Sequence, residues 1–571
     1  DGACSAAIID MFCREIGMET KIYFHSGKQH GLHDKIEEII QDNLSFIIIP
    51  DAGTNDVEDC KLIKEHNKQC DILILDHHEV LYENPYATII NNQLGNVNKA
   101  LSGAGVTYKF IQAYSFFKGI LAPSYEDIVA VSIVSDICDL TSLENRAFLY
   151  YGFKYPENLF IINLFNTVCK YRGVCPEAIG WDISPLANAL ARMGDQEYKT
   201  FFFECLTGRR NDYENSIKEM KRIKRKQDEL VKQITNEIES NLNLDHKVII
   251  GFTDPENKEI IGLIANKFTG KYRKPTILLR EMNSTTWTGS LRSPVDLLET
   301  INESKLAQCM GHGAACGITV KKANLNKLAK FLDNLNLEVD PEYDVAGELS
   351  LNQITLNLAK DIINNKTLWG KNIEKPQFYI TLDNPIVNIF KKNTTTIKLT
   401  QDGINFIKFF CSNDMIEQFE NLNNKIVNLI FEIDVNVYNG VESPQCNIVE
   451  YEIKENSYDL IMAISALEHI DTYESFLNKL TEIKEGLRKN GIVCFVINSN
   501  VSEVNQSTNE FADAQFEVNL PTEKIQECLS TVFDGWNLLK TSVSEQEYDI
   551  PRETFISRLS TNVVTFVARK P

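Results

Sequence analysis

Short apolar runs alternate with stretches of helical periodicity over the first hundred residues. The runs at 46–50 and 72–75 predict buried strands, and the amphipathic spacing at 34–41 and 57–66 predicts helices. Strand and helix in alternation imply a parallel sheet covered on both faces. A helical pattern from Cys4 to Ile16 opens the chain with no strand to feed it, which points to a truncated start. Helical patterns predominate from about 101 to 206, and the polar stretch 211–241, where Lys and Glu interleave, predicts a long solvated connecting helix. A second α/β block spans about 247–340. Short strands with turn signals follow at 377–381, 386–391, 396–400, 405–411, 425–436 and 445–451, the pattern of a small barrel or sandwich. From 457 onward alternation returns, with strands expected at 460–464, 491–497 and 563–569 and helices at 473–487 and 522–532.

A length of 571 residues calls for several cores rather than one. No apolar run reaches the ~18–20 residues of a membrane span. The net charge of −21, from 58 basic against 79 acidic residues, excludes a chain that coats nucleic acid by bulk electrostatics, so any phosphate site has to be built locally. The 14 cysteines are scattered singly, several inside apolar runs, which fits reduced thiols in a cytoplasmic protein and offers no zinc site.

Candidate chemistry gathers where an open parallel sheet places its ligands, at the ends of its apolar runs. One run ends on Asp51, the next on Asp76-His77-His78, and a third, over 131–135, on Asp136, while Asp1-Gly2 opens the chain. A mixed Asp/His set suits Mn²⁺ or Mg²⁺. An Asp after a strand is by itself commonly a turn or helix cap; recurrence at successive ends argues for a site.

With these residues in hand, the chain resembles the RecJ-like single-strand-specific exonucleases of the DHH phosphoesterase family over roughly residues 1–454. Asp1-Gly2-Ala3 looks like the close of the family's first motif, Pro50-Asp51-Ala52-Gly53 its second, Asp76-His77-His78 its third and Ser135-Asp136 its fourth. Residues 101–106, 144–146, 185–195, 261–265 and 289–293 are also similar, as is Gly311-His312-Gly313, where Met310 replaces a usual glycine. The resemblance implies an α/β architecture: a DHH domain (1–207), a connecting helix (208–242), a DHH-associated domain (243–340) and an OB-fold barrel (341–454). It implies that Asp51 bridges two ions, that Asp1, His77 and Asp136 complete one shell, that His78 faces the scissile phosphate and that Asp76 orients its neighbours. Asn188, Arg192, Arg292, Gly311, His312 and Gly313 would bind substrate, with Arg292 and His312 as the phosphate clamp. On the barrel, Phe378, Tyr379, Phe390, Lys391, Lys392, Lys398, Phe406 and Lys408 would hold single-stranded DNA, with half of those aromatics expected in the core and alternation alone not assigning which.

The expected activity is hydrolysis of single-stranded DNA from its 5′ end, in repair and recombination, by a monomer working with a single-strand-binding protein or helicase and no membrane. The alternatives are an oligoribonucleotide or cyclic-dinucleotide phosphodiesterase, and an inactive nucleic-acid-binding replication factor. The tail, 455–571, resembles the second half of a class I methyltransferase; the glycine loop and ribose-binding acid of the first half are not visible, so no cofactor is expected there.

Overall fold

The computed structural model describes all residues except 26–30, 96, 194–195, 338–341, 392–394, 421, 423–424, 456–457, 471 and 513–517. It divides into two compact units, residues 1–343 with 364–375 and residues 344–363 with 376–571.

The first unit starts with helix Gly2–Glu15, whose Ile8 and Phe12 enter the main core. Strands β1 (Phe46–Pro50), β2 (Asp71–Asp76) and β3 (Thr88–Asn91) form a parallel sheet in that order. In register, Ile48 lies beside Leu73 and Ile74 beside Ile89. The central strand β2 is buried from Ile72 to Asp76, and burial on both faces is why it reads as an unbroken apolar run. Strand β3, too short to be seen in the pattern, is an addition to the sequence reading. One expectation is corrected. The apolar run ending on Asp136 is no strand but the last turns of helix Glu126–Ser135, and Asp136 caps it. Ile128, Val129, Ala130, Val131 and Ile133 are buried all round that helix, and a helix apolar on every side has no period to distinguish it from a strand.

The expected connecting helix is Tyr213–Glu239, with Ile217, Met220, Ile223, Val231, Ile234 and Ile238 along its buried stripe. A mixed five-stranded sheet follows: β4 (Ile249–Phe252), β5 (Thr276–Asn283), β6 (Thr286–Arg292), β7 (Ala307–His312) and β8 (Ala315–Lys321), ordered β4-β5-β6-β8-β7. Only β4 and β5 are parallel.

In the second unit, β9 (Gly347–Glu348), β10 (Gln377–Asp383), β11 (Ile386–Phe390), β12 (Thr396–Gln401), β13 (Ile404–Phe409), β14 (Lys425–Tyr438) and β15 (Val441–Glu455) form one sheet, ordered β11-β12-β13-β15-β14-β10-β9. Strands β10 and β11 are joined by Asn384-Pro385, with Asn384 at φ 49°, so β11 at one end of the strand path follows β10, second from the other end, and the strands surround a single core. Ile380, Leu382, Ile397, Leu399, Phe406, Leu429 and Phe431 fill it.

The tail holds β16 (Tyr458–Ile464), β17 (Leu487–Asn505), β18 (Phe511–Ala512), β19 (Asn537–Pro551) and β20 (Ile556–Arg569), in the order β16-β17-β20-β19, with β18 beside β17. Helices Tyr473–Gly486 and Thr522–Val532 pack on one face through Phe476, Leu480, Ile525 and Leu529. Strand β16 is an edge, and its Leu460, Met462 and Ile464 are exposed. Strand β19 escaped the sequence reading because it lies almost wholly in solvent and carries no burial alternation.

Candidate metal centre

Strands β1 and β2 run parallel, so their carboxyl ends deliver Asp51 and Asp76-His77-His78 side by side; the Asp51 N–H donates to the Leu75 carbonyl. The His77 Nδ1 lies 3.1 Å from the Leu101 carbonyl oxygen. A carbonyl can only accept, so the proton is assigned to Nδ1 and the Nε2 lone pair faces the acids. Nε2 is 3.2 Å from Asp51 Oδ1, 3.5 Å from Asp1 Oδ2 and 3.7 Å from Asp136 Oδ2. Asp51 is buried, in the left-handed region at φ 63°, and its Oδ1 has no hydrogen-bond donor. An unpaired buried carboxylate oxygen facing an imidazole lone pair is costly unless a cation sits between them. Neighbouring ligands of an octahedral ion, each at ~2.1 Å, lie about 3 Å apart, close to the spacings found. The residues therefore fit a divalent ion. Two overlapping groups can hold one, Asp51 with His77 and His78, and Asp1 with His77 and Asp136.

Backbone fixes the acids. Asp1 accepts from the Gly103 and Ala104 N–H groups at 2.7 and 2.9 Å and from Ser132 Oγ. Those amides open helix Gly103–Lys118, so Asp1 lies at the positive end of its dipole. A Cβ on Gly103 would stand 2.2 Å from Asp51 Oδ1, so only glycine lets the helix come this close. Asp76 is buried and accepts from the Thr54 N–H and hydroxyl, the His77 N–H and His78 Nδ1, which ties both strand ends together. Burial alone would raise its pKa, but the bonds from His78 and Thr54 outweigh it and hold the carboxyl far below the usual range. Its hydrogen bond raises the His78 pKa in turn. Burial lowers the His77 pKa, yet Asp51, Asp136 and Asp76 together raise it, because protonation of Nε2 supplies the donor that Asp51 lacks.

Two cavities flank the cluster. One of about 400 Å³ reaches Asp51 between helix Gly2–Glu15 and β1; the other, about 230 Å³, is lined by Asp1, Ser135, Ser184 and Asn188. Arg192 ends helix Ser184–Arg192, where burial and the Arg292 charge both lower its pKa. A guanidinium whose burial and cationic neighbour both disfavour its charge marks a place where an anion is favourable. Arg292 ends β6, with Nη1 donating to Ser290 Oγ and the Leu291 carbonyl at 2.8 and 2.7 Å. A Cβ on Gly262 would lie 2.9 Å from Arg292 Nη2, which accounts for glycine in that stretch. Gly311 has φ 126°, and a Cβ on Gly313 would stand 1.9 Å from Asp296 Oδ2, so the glycines of this loop make room for protein. His312 closes β7 opposite Ala315, and its side chain lies outside the described part of the structure.

On the barrel, Phe378 packs against Phe431 with centroids 6.1 Å apart, and Phe406 is in the core. Lys408 Nζ donates to the Ile448 and Val449 carbonyls at 3.1 and 2.5 Å, and Lys391 pairs with Glu420 at 3.2 Å. Tyr379 is half-buried and accepts from Thr381, and Lys392 lies outside the described residues. Register puts Phe390, Thr396 and Phe409 in one row, and Asn388, Lys398 and Ile407 in another on the same outward face. Phe390 and Phe409 are about half exposed, and Phe410 and Tyr438 stand largely in solvent. Phe409, Phe410 and Tyr438 were missed in the sequence. For Phe409 the signal was available, since alternation from a core Phe406 turns it outward.

Residues 1–133 match the DHH family, N-terminal domain, and residues 345–450 match the RecJ OB domain. The chain is thus RecJ-like, with a DHH-family first domain and a RecJ OB domain on one polypeptide. Its relatives are distant. The candidate SPbeta prophage-derived single-strand DNA-specific exonuclease YorK of Bacillus subtilis (strain 168) is 27% identical over 499 residues, 79% of this chain and 86% of YorK. The single-stranded-DNA-specific exonuclease RecJ of Bacillus subtilis (strain 168) is 22% identical over 490 residues, 80% of this chain but 60% of that RecJ. Among solved structures, RecJ in complex with Mn²⁺ from Thermus thermophilus superimposes with a TM-score of 0.65 at 16% identity, covering 79% of this chain and 67% of that one.

Proposed function

We propose that this chain is a metal-dependent phosphodiesterase that degrades single-stranded DNA from the 5′ end. The observation that carries the reading is the His77 Nε2 lone pair aimed at Asp1, Asp51 and Asp136, beside the donorless Asp51 Oδ1. Those four residues would hold Mn²⁺ or Mg²⁺. When bound, the metal supplies a Lewis acid that neutralises phosphoryl charge and makes water a better nucleophile. Leu101 keeps the His77 proton on Nδ1, and Asp76 orients His78 toward the phosphate. Arg192 and Arg292, both raised in energy by burial, gain most where phosphate charge grows, and the family resemblance adds His312 to the clamp. In this reading residues 1–207 carry the metal cluster, 243–340 the clamp and 341–454 the barrel that holds the strand. On the barrel the outward row of Phe390 and Phe409 with Lys398 suits base stacking and phosphate tracking better than Phe378 and Lys408, which the fold already uses. Direction and DNA preference rest on the likeness to YorK and RecJ.

The test is Mn²⁺-dependent nucleotide release from a labelled single-stranded oligodeoxynucleotide. Asp51→Asn and His77→Ala should each remove it while binding of the strand survives. Near wild-type rates in either variant would refute the assignment.

A further inference from the structure

Three helices of the first unit end in the same hydrogen-bonded turn. At the end of helix Gly2–Glu15, Gly17 donates to the Arg14 carbonyl and Met18 to that of Cys13. After helix Gly103–Lys118, Gly119 donates to Phe116 and Ile120 to Ser115; after helix Glu126–Ser135, Ile137 donates to Val134 and Cys138 to Ile133. Each turn puts its first donor in the left-handed region, at φ 79°, 66° and 56°. That position favours glycine because a Cβ there crowds the following carbonyl, and a β-branched side chain is the worst case. The first two turns use glycine. The third uses isoleucine, and it is the one whose preceding residue, Asp136, faces His77.

Packing does not compensate for the strain, since Ile137 is 69% exposed. Asp136 and Ile137 have Cα atoms ~3.8 Å apart, so the isoleucine stands at the rim of the metal cluster. A hydroxyl chain, Ser135 Oγ to Ser184 Oγ at 2.7 Å and Ser184 Oγ to the Ile179 carbonyl at 2.9 Å, ties the end of helix Glu126–Ser135 to the start of helix Ser184–Arg192. Strain kept without internal compensation, next to a reactive group, points to a contact outside the fold.

Resting on the nuclease reading, we propose that Ile137 is a substrate-positioning residue: its apolar side chain is the wall against which the sugar or base beside the reacting phosphate packs. The test uses the full chain and its Ile137→Gly and Ile137→Leu variants. Ile137→Gly should melt at a higher temperature, bind Mn²⁺ unchanged, and raise KM for a single-stranded oligodeoxynucleotide about tenfold with little change in kcat. Ile137→Leu, which keeps an apolar wall, should stay near the wild-type KM. An unaltered KM in Ile137→Gly would overturn the proposal, as would a lower melting temperature, which would show that the side chain packs on the protein. If the wild-type chain hydrolyses nothing, the nuclease reading fails instead. The wall is then judged by oligonucleotide affinity in Mn²⁺, which Ile137→Gly must weaken about tenfold for it to stand.

Discussion

Gly103→Ala tests the architecture of the metal centre without touching a ligand. Gly103 is the first residue of its helix, where alanine ordinarily gains up to ~1 kcal/mol over glycine. Here the added Cβ would lie 2.2 Å from Asp51 Oδ1 and 2.7 Å from its Cβ and Cγ, whereas ordinary contact begins at 3.4 Å. The deficit, 3.4 − 2.2 = 1.2 Å at worst and 3.4 − 2.7 = 0.7 Å elsewhere, means that roughly 1 Å has to be found. Either Asp51 withdraws from His77, or the first turn withdraws and the Gly103 and Ala104 amides leave Asp1; both routes disturb a ligand. Overpacking costs about 1–3 kcal/mol, which exceeds the helical gain, so the melting temperature should fall by a few degrees. A displacement of ~1 Å should cut turnover on the order of 10²-fold. Thermal unfolding, Mn²⁺ titration calorimetry and oligonucleotide hydrolysis measure the three effects. A variant as stable as wild type, with the same Mn²⁺ affinity, would refute the reasoning.

Three further outcomes are expected. A divalent ion has to displace the proton from His77 Nε2, and the acids raise that pKa above the ordinary 6.5, so Mn²⁺ affinity should be full above the raised value and fall about tenfold per pH unit below it, as calorimetry across pH would show. Asp10 is fully buried, with Arg209 bonded to both its oxygens at 2.8 Å; Arg209→Met leaves it Arg14 at 3.2 Å and the Thr20 hydroxyl, and the lost charge-assisted bonds should cost about 1.5–3 kcal/mol in chemical denaturation. The tail should not bind S-adenosylmethionine in a calorimetric titration, since among the described residues β16 is an edge with no strand beyond it, and removing residues after Lys454 should leave nuclease activity unchanged in the oligonucleotide assay.

Much of this protein was legible in its sequence. The runs at 46–50 and 72–75 show as strands because burial on both faces makes them wholly apolar, and chain direction alone then puts Asp51 and His77 at the same end of a parallel pair. The connecting helix shows because its one buried stripe recurs at helical spacing over 27 residues. Six of the seven strands of the barrel sheet follow from turn residues and short apolar runs; β9, two residues long, does not. Where burial lacks a period, or a strand is not buried, the signal vanishes: the run before Asp136 is a helix apolar all round, and β19 is a strand in solvent. Side-chain direction on the barrel also waits for the fold, because alternation assigns faces only after one residue is known to be inside, and Phe406 settles that for Phe409. Tertiary structure alone decides the rest of the metal centre. Leu101, 24 residues after His77, fixes which nitrogen is free. Gly103, more than 50 residues after Asp51, makes room for that carboxylate, and Ser132 steadies Asp1. These are contacts between residues far apart in the chain, and local sequence has no means of announcing which carbonyl, which missing Cβ or which hydroxyl the fold will bring to a ligand.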